Sequence, residues 1–430
     1  MNRRNILISN YAGGVTNNLI GGNFFTGLLL LLNADDAFIG LVTMTVMFGN
    51  MLQVLSPLIL ERYAHRKRLL VAGRIVIHFF NIIVISLIPM LGATNSLKLT
   101  LILFVVLVVN LMNSLMSPGY QVWHIRSIPE SLRSRYFSLF HITNGFIVYS
   151  VILFSSRIVD VFKQSGNEMT GLMLLRWASL ILAVVDVIFL CKVKEYPNQL
   201  SQKRVSLVDV LLNPFRERKY LLSVLMACLW SFSANIPGPY YSVYLLKDMG
   251  VSYSFINMIN MLSVLIMMLV MPLWKKRIDT TSWFKTLYLC IGFYLIHYLG
   301  LAFVSEKTLF LYPAFLVYAF MLSPGLNLVF SNLPYMNIPE KDQTNYIGFY
   351  ASMNNLAAFL GVLLGREFIK RTNKLSIQVI GISMGNKQLI LILTALIMVG
   401  AVICIFFLSR STSQNQPLNR QIDIELDADL

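Results

Sequence analysis

The stretch SPGYQVWHIRSIPE at residues 117–130 decides the fold, because the chain carries a second version of it, SPGLNLVFSNLPYMNIPE, at residues 323–340. Tyr136 and Tyr346 follow the two copies, and matching residues lie 206 to 210 positions apart, about half the chain. Each copy lies where a long apolar stretch gives way to a short polar loop. The repeat therefore predicts two related membrane halves of six helices each.

Composition indicates that lipid surrounds this protein. The chain is 56% hydrophobic and only 13% charged, with a mean hydropathy of +0.66, and a water-soluble core could not hold that many apolar side chains. We predict an all-α integral membrane protein with twelve transmembrane helices in two pseudo-symmetric six-helix halves. The predicted spans lie near residues 11–32, 37–60, 69–92, 99–124, 136–158, 171–191, 220–246, 254–274, 284–304, 309–335, 345–366 and 387–408.

The basic residues behind the net charge of +15 are distributed as expected for a membrane protein with a fixed orientation. If the N-terminus is cytoplasmic, 23 of the 35 Lys and Arg residues fall in the predicted inner segments, as the positive-inside rule requires. This distribution argues against nucleic acid as a partner. We expect a multi-pass plasma-membrane protein with both termini cytoplasmic and with its first span acting as an uncleaved signal anchor.

Four regions are expected along the chain: an N-terminal half at 1–191, a cytoplasmic linker at 192–219, a C-terminal half at 220–408 and a disordered acidic tail at 409–430. The linker holds seven basic residues and a short amphipathic pattern around Leu207 to Phe215. Cys191, Cys228, Cys290 and Cys404 are widely spaced, so we expect free thiols and no metal site. No phosphate-binding Gly-x-x-x-x-Gly-Lys-Ser/Thr sequence occurs, and we predict no cofactor.

The loop PLILERYAHRKR at residues 57–68 resembles, in degenerate form, the signature of the major facilitator superfamily. The corresponding stretch of the second half, PLWKKRID at residues 272–279, is a looser version, and Pro129-Glu130-x-x-Arg133-x-Arg135 resembles that family's loop between helices 4 and 5. Two features of the family's drug/proton antiporters are missing: a Gly-Pro-rich sequence in helix 5 and an Arg in helix 4. A proton-driven drug exporter is therefore less favoured.

The resemblance implies that charged residues of these loops hold the halves together on the cytoplasmic side when the protein opens outward. The alternative is that the basic residues only set topology. The gate candidates are Glu61, Arg62, His65, Arg66, Glu130, Arg133 and Arg135.

The resemblance also implies that helices 1, 4, 7 and 10 line a central cavity, with helices 2, 5, 8 and 11 at its sides. Polar residues recur at helical spacing along spans 4 and 10, and such amides cannot face lipid without losing hydrogen bonds. Amides and aromatic rings without fixed charges suit a neutral polar or amphipathic solute, although each Asn could instead join helices. The candidates are Asn17, Asn23, Asn110, Asn113, Ser117, His141, Asn144, Trp230, Asn235, Tyr241, Asn327, Tyr350 and Asn354.

Ionisable residues inside the spans need partners or a function. Asp186 and Arg176 share one predicted helix but lie about 15 Å apart along it, so they cannot pair with each other. Arg74 could snorkel to the headgroups. A structural ion pair is favoured over a proton relay for Asp186, and His141 or Asp186 would carry the proton if transport is proton-coupled.

In span 7, the sequence Pro237-Gly238-Pro239 predicts an interrupted helix, which could be a bending gate or a static kink. Taken together, the sequence predicts a secondary active or facilitative transporter, and not an enzyme, that moves a small-molecule substrate by alternating access. A drug or organic-ion efflux transporter and a non-transporting membrane sensor or anchor are the alternatives. Besides the substrate, the expected partners are the lipid bilayer and a coupling proton or sodium ion.

Overall fold

A computed structural model describes residues 2–410 apart from 61, 129, 196–211, 282, 334–342, 374 and 380–381. The chain is almost entirely helical and divides into two compact units. The first contains Met1–Val205 together with Ser242–Met261, and the second contains Ser206–Tyr241 together with Leu262–Leu430. Most of the predicted linker and of the predicted tail lies outside the described residues.

The helices that precede the predicted linker begin with a divided one, α1 and α2, and end with α9. Short 3-10 turns at Leu52–Leu55 and Ile88–Met90, and a π-helix at Phe79–Val84, interrupt the second and third predicted spans. The α-helices are α1 (Asn2–Leu19), α2 (Gly22–Leu31), α3 (Asp36–Met51), α4 (Ser56–Leu60), α5 (Lys67–His78), α6 (Ile85–Leu87), α7 (Asn95–Arg126), α8 (Glu130–Gln164) and α9 (Glu168–Cys191).

The remaining helices follow the predicted linker. They are α10 (Arg218–Asn235), α11 (Tyr240–Val243), α12 (Tyr253–Thr280), α13 (Trp283–Ala302), α14 (Leu311–Asn332), α15 (Gln343–Arg371) and α16 (Asn386–Arg410). Further 3-10 turns lie at Asn213–Arg216 and Glu306–Thr308, and a second π-helix lies at Tyr244–Asp248. A short antiparallel hairpin, β1 (Ser376–Val379) with β2 (Ile382–Gly385), joins α15 to α16 and pairs Ser376 with Gly385.

Within the described part of the chain, eleven helices are long and apolar enough to cross a membrane. The first predicted span is not among them: α1 has 18 residues but is polar, and α2 has only 10 and starts at Gly22, where φ is +53°. Glycine tolerates this left-handed backbone conformation. The predicted break in span 7 is confirmed: α10 ends at Asn235, and Gly238, between the two prolines, has φ of +43°.

The repeated Ser-Pro-Gly plays the same packing role in each unit. Pro118 lies inside α7 and Pro324 inside α14, and each is followed by a glycine in close contact with neighbouring helices. A Cβ on Gly119 would lie 2.7 Å from a methyl of Leu70, and one on Gly325 would lie 2.7 Å from the ring of Trp274. Small residues at such positions allow transmembrane helices to approach closely.

Each unit has its own apolar core. In the first unit, Ile6, Leu60, Leu70 and Leu190 are buried around Trp123. In the second, Tyr220, Phe284 and Phe349 are almost completely buried and form one cluster. Large apolar side chains such as Phe104 and Phe154 are exposed, as expected for residues that face lipid.

Candidate functional site

The polar stripe of α7 has two sides with different surroundings. Asn110 and Ser114 turn towards α3, where the Asn110 amide donates to Thr45 Oγ1 at 2.8 Å and Ser114 Oγ donates to Asn50 Oδ1 at 2.9 Å. Asn113 is exposed, and Ser117 is half-buried on the same helix. The first side therefore joins two helices, and the second leaves an amide accessible.

The first helix meets α8 and α9 through glycines that admit polar side chains. A Cβ on Gly14 would lie 3.0 Å from Oδ1 of Asn144 on α8, so the glycine leaves room for this amide. The buried Oδ1 atom has no hydrogen-bond partner among the described residues. Asn17 is exposed one turn further along α1, and the Asn23 amide of α2 donates to Asn257 Oδ1 at 3.2 Å. The His141 side chain lies outside the described residues.

Asp186 of α9 is the centre of a buried charged network, the Asp186 cluster, which also contains Ser9, Arg74 and His78. Its Oδ1 accepts from Ser9 Oγ at 2.5 Å, and its Oδ2 lies 2.8 Å from His78 Nε2 and 3.4 Å from Arg74 Nε. The guanidinium of Arg74 also covers the ring of Tyr120, 4.5 Å from its centroid. Arg74 thus points into the unit and does not snorkel to the headgroups.

Arg176 of α9 is separate from this cluster and binds neutral groups. It is 3% exposed and donates through Nε to Ser86 Oγ at 2.9 Å, through Nη1 to the Ile20 carbonyl at 3.3 Å and through Nη2 to the Asn81 carbonyl. Ile20 lies at the break between α1 and α2, and Asn81 lies in the π-helix. The guanidinium therefore satisfies backbone carbonyls that two irregular helical segments expose.

The loop at the predicted cytoplasmic end is anchored to the beginning of the predicted linker. Glu195 accepts from the Lys67 backbone N–H at 2.8 Å and lies 3.5 Å from Nδ1 of His65, while Arg66 Nε donates to the Tyr63 carbonyl at 3.0 Å. Arg62 is exposed. Glu61 lies outside the described residues, as do the side chains of Glu130, Arg133 and Arg135 at the start of α8.

The second unit brings together polar residues of α10 and α15. Ser231 Oγ donates to Asn354 Oδ1 at 2.6 Å, and the Asn235 amide donates to the Ser231 carbonyl at 2.7 Å. Tyr350, one turn before Asn354, is 8% exposed, whereas Asn327 on α14 is exposed.

Aromatic rings surround Trp230, which precedes this polar group. Trp230 stacks on Phe330 with ring centroids 6.0 Å apart and meets Tyr294 edge to face at 5.4 Å. Tyr241, beyond the helix break, lies 5.9 Å from the ring of Tyr312. Indole and phenol rings offer both an apolar face and a polar edge to a ligand.

Sequence reasoning missed several residues of these networks. Ser9 and Glu195 have no distinctive local pattern, so only the fold identifies them as partners of Asp186 and His65. The spacing of Arg74 and His78, four residues apart on one helix, was the available signal for the Asp186 cluster. No group of three or more His, Cys, Asp or Glu side chains that could hold a metal ion occurs among the residues that the structure describes.

The sequence matches the family model described as Major Facilitator Superfamily over residues 6–362. Three similar solved structures are the nucleoside transporter NupG (12% identity, TM-score 0.69, covering 95% of this chain and 99% of that one), a bacterial homologue of the iron transporter ferroportin in its inward-facing state (13%, 0.71, 95% and 98%) and a D-xylose-proton symporter (14%, 0.68, 96% and 98%). These likenesses concern the fold. No curated protein matches the sequence.

Proposed function

Because this chain belongs to the Major Facilitator Superfamily, we propose that it moves a small neutral polar or amphipathic solute by alternating access of two six-helix halves. The neutral substrate class is supported by one observation: three charged residues inside the predicted spans already have protein partners. Asp186, Arg74 and Arg176 are engaged inside the first unit, whereas the amide of Asn113 is exposed. Exposed amides on apolar helices require water or a polar ligand beside them.

Each unit has its own candidate contacts. Asn17, Asn113 and Ser117 of the first unit offer amide and hydroxyl groups, and Asn327 and the ring of Trp230 in the second unit offer a polar and an apolar surface. Amides suit the hydroxyl groups of a solute, and an aromatic ring suits its apolar face. We propose a plasma-membrane location with both termini cytoplasmic. The distribution of charge supports this orientation, because 23 of the 35 basic residues then lie inside.

A thermal-shift screen of the purified protein tests this proposal. The probes are sugars and nucleosides as neutral solutes and organic cations and anions as charged ones. A ligand at a hundred times its Kd stabilises the folded state by about 2.7 kcal/mol. We expect stabilisation by one neutral class.

The control uses two asparagines of one helix. Asn113→Ala should abolish the shift, whereas Asn110→Ala, which removes the hydrogen bond to Thr45, should lower the melting temperature and keep the ligand-induced shift. Stabilisation by organic ions alone would contradict the neutral substrate and favour the efflux alternative. Binding without flux into proteoliposomes would favour a sensor.

A further inference from the structure

Residues Ser242–Met261 follow the helix break of the second predicted half, yet they pack with the first unit. In the proposed orientation, the contacts between this segment and residues 1–205 lie at the outer end of the helices. They are polar and mostly buried, and they centre on the first turn of α12.

Asp160, near the end of α8, caps the N-terminus of α12. Its Oδ1 accepts from the Tyr253 backbone N–H at 2.8 Å, and its Oδ2 accepts from the Ser254 N–H at 2.9 Å and from the Ser254 hydroxyl. The first N–H groups of a helix lack partners within the helix and carry a partial positive charge. A carboxylate that is 7% exposed thus gains three donors from a separate segment of the chain.

Tyr253 adds a second contact in the same turn. Its hydroxyl donates to Glu168 Oε1 at 2.8 Å, and its ring stacks on Phe24 at 5.6 Å. A Cβ on Gly27 would lie 1.8 Å from that hydroxyl oxygen, so the glycine leaves the space that the phenol occupies.

Asn257, one turn further along α12, extends the contact. Its amide donates to Ser156 Oγ at 2.8 Å and accepts from Asn23 at 3.2 Å. Lys247, in the preceding π-helix, donates to Asp36 Oδ1 at 3.0 Å, although this lysine is half-exposed and its pair contributes little.

We propose that Asp160, Glu168, Tyr253, Ser254 and Asn257 form an outer latch that holds the external end of the transport path closed, with Asp160 as its central positioning residue. This inference rests on the proposed function. Opening the outer end separates Ser242–Met261 from α2, α8 and α9, so the Asp160 carboxylate and the first turn of α12 must exchange their mutual hydrogen bonds for water. Loss of the carboxylate therefore shifts the population towards the outward-open state.

A reporter cysteine measures that population without knowledge of the substrate. Ile152 lies two turns before Asp160 on the same face of α8 and is 7% exposed. Its side chain makes no hydrogen bond to the latch, so Ile152→Cys is the reporter background, and the protein is reconstituted in nanodiscs. The maleimide adduct at position 152 is quantified by peptide mass spectrometry, which separates it from adducts at the natural cysteines. We expect Asp160→Ala to raise the labelling rate at least tenfold, and Asp160→Asn and Ser254→Ala, which each keep part of the cap, to raise it by smaller factors.

Asp35→Ala is the matched control, because Asp35 also caps a helix with its carboxylate, accepting from the Phe38 N–H at 2.6 Å, but caps its own helix α3. An unchanged labelling rate in folded Asp160→Ala, or an equal rise in Asp35→Ala, would overturn the latch. If Asp160→Ala does not fold, Asp160→Asn and Ser254→Ala decide by the same criterion. Faster labelling in a protein that transports no solute would keep the latch and reject the proposed transport.

Discussion

Asp186 and His78 are joined by a contact of 2.8 Å between Oδ2 and Nε2, at a point where the Asp186 side chain has no exposed surface. Arg74 reaches the same oxygen from the preceding turn of α5, and Ser9 reaches the other oxygen from α1. One carboxylate thus fastens α9 to α1 and α5. Since α1 continues to Asn17, this cluster also fixes the helix that offers a candidate substrate contact.

Replacing Asp186 by Asn should destabilise the protein strongly. The variant leaves the Arg74 charge buried without its counter-charge, and breaking a buried ion pair from one side costs about 3–5 kcal/mol. The melting temperature of the purified protein in detergent measures the effect. Glu367→Gln is the control, because Glu367 is 38% exposed in its pair with Arg366 and such pairs contribute at most about 1 kcal/mol. A folded, stable Asp186→Asn protein that had lost the pH dependence of transport would instead favour a proton relay.

Gly13→Ala should disturb the Asp186 cluster from the side of α1. The new methyl would lie 3.1 Å from Asp186 Oδ2, so the carboxylate must shift by a few tenths of an ångström, which strains its contacts with His78 and Arg74. Gly400→Ala in α16 adds a methyl with no atom within 4 Å and should gain the helix propensity of alanine, about 1 kcal/mol. In a thermal unfolding experiment, Gly13→Ala should therefore lower the melting temperature, and Gly400→Ala should not. Equal changes would mean that the cluster adapts to the methyl.

The fold could be predicted from sequence, because a chain surrounded by lipid must satisfy its backbone hydrogen bonds internally and therefore crosses the bilayer as long apolar helices. Long apolar stretches, the clustering of basic residues in alternate loops and the repeat require only composition and spacing, and the break at Pro237 follows from proline geometry. The partners of polar residues depend on tertiary packing. Periodicity identified the polar stripe of α7, but it could not separate Asn110, which binds Thr45, from the exposed Asn113. Asp160 lies just beyond the predicted end of its span, whereas α8 continues to Gln164.

Arg176→Ala should destabilise the two irregular helical segments that the guanidinium supports. The carbonyls of Ile20 and Asn81 would lose a donor inside the membrane, and each buried unsatisfied group costs about 1–3 kcal/mol. Arg176→Lys keeps the charge but cannot reach three acceptors with the same planar geometry, so we expect an intermediate loss. Hydrogen exchange at residues 17–25 and 79–86 measures the local effect. Uniformly faster exchange across the chain would contradict it.

The two glycines of the repeated Ser-Pro-Gly should differ in their tolerance of a methyl group. In Gly119→Ala the new Cβ meets the methyls of Leu70 and Leu60 at 2.7 and 2.9 Å, and these are ends of flexible side chains. In Gly325→Ala it meets the Trp274 ring at 2.7 Å and the buried Cys290 sulfur at 2.8 Å, and the indole cannot move without losing its hydrogen bond to the Met321 carbonyl. Overpacking costs about 1–3 kcal/mol, and we expect Gly325→Ala at the upper end of that range and Gly119→Ala at the lower. Trp274→Phe combined with Gly325→Ala should recover part of the loss in melting temperature, because the smaller ring makes room for the methyl. If the fall in melting temperature of the double variant equals the sum for the two single variants, the glycine and the indole are not coupled. In that case their contact does not determine the packing of α12 on α14.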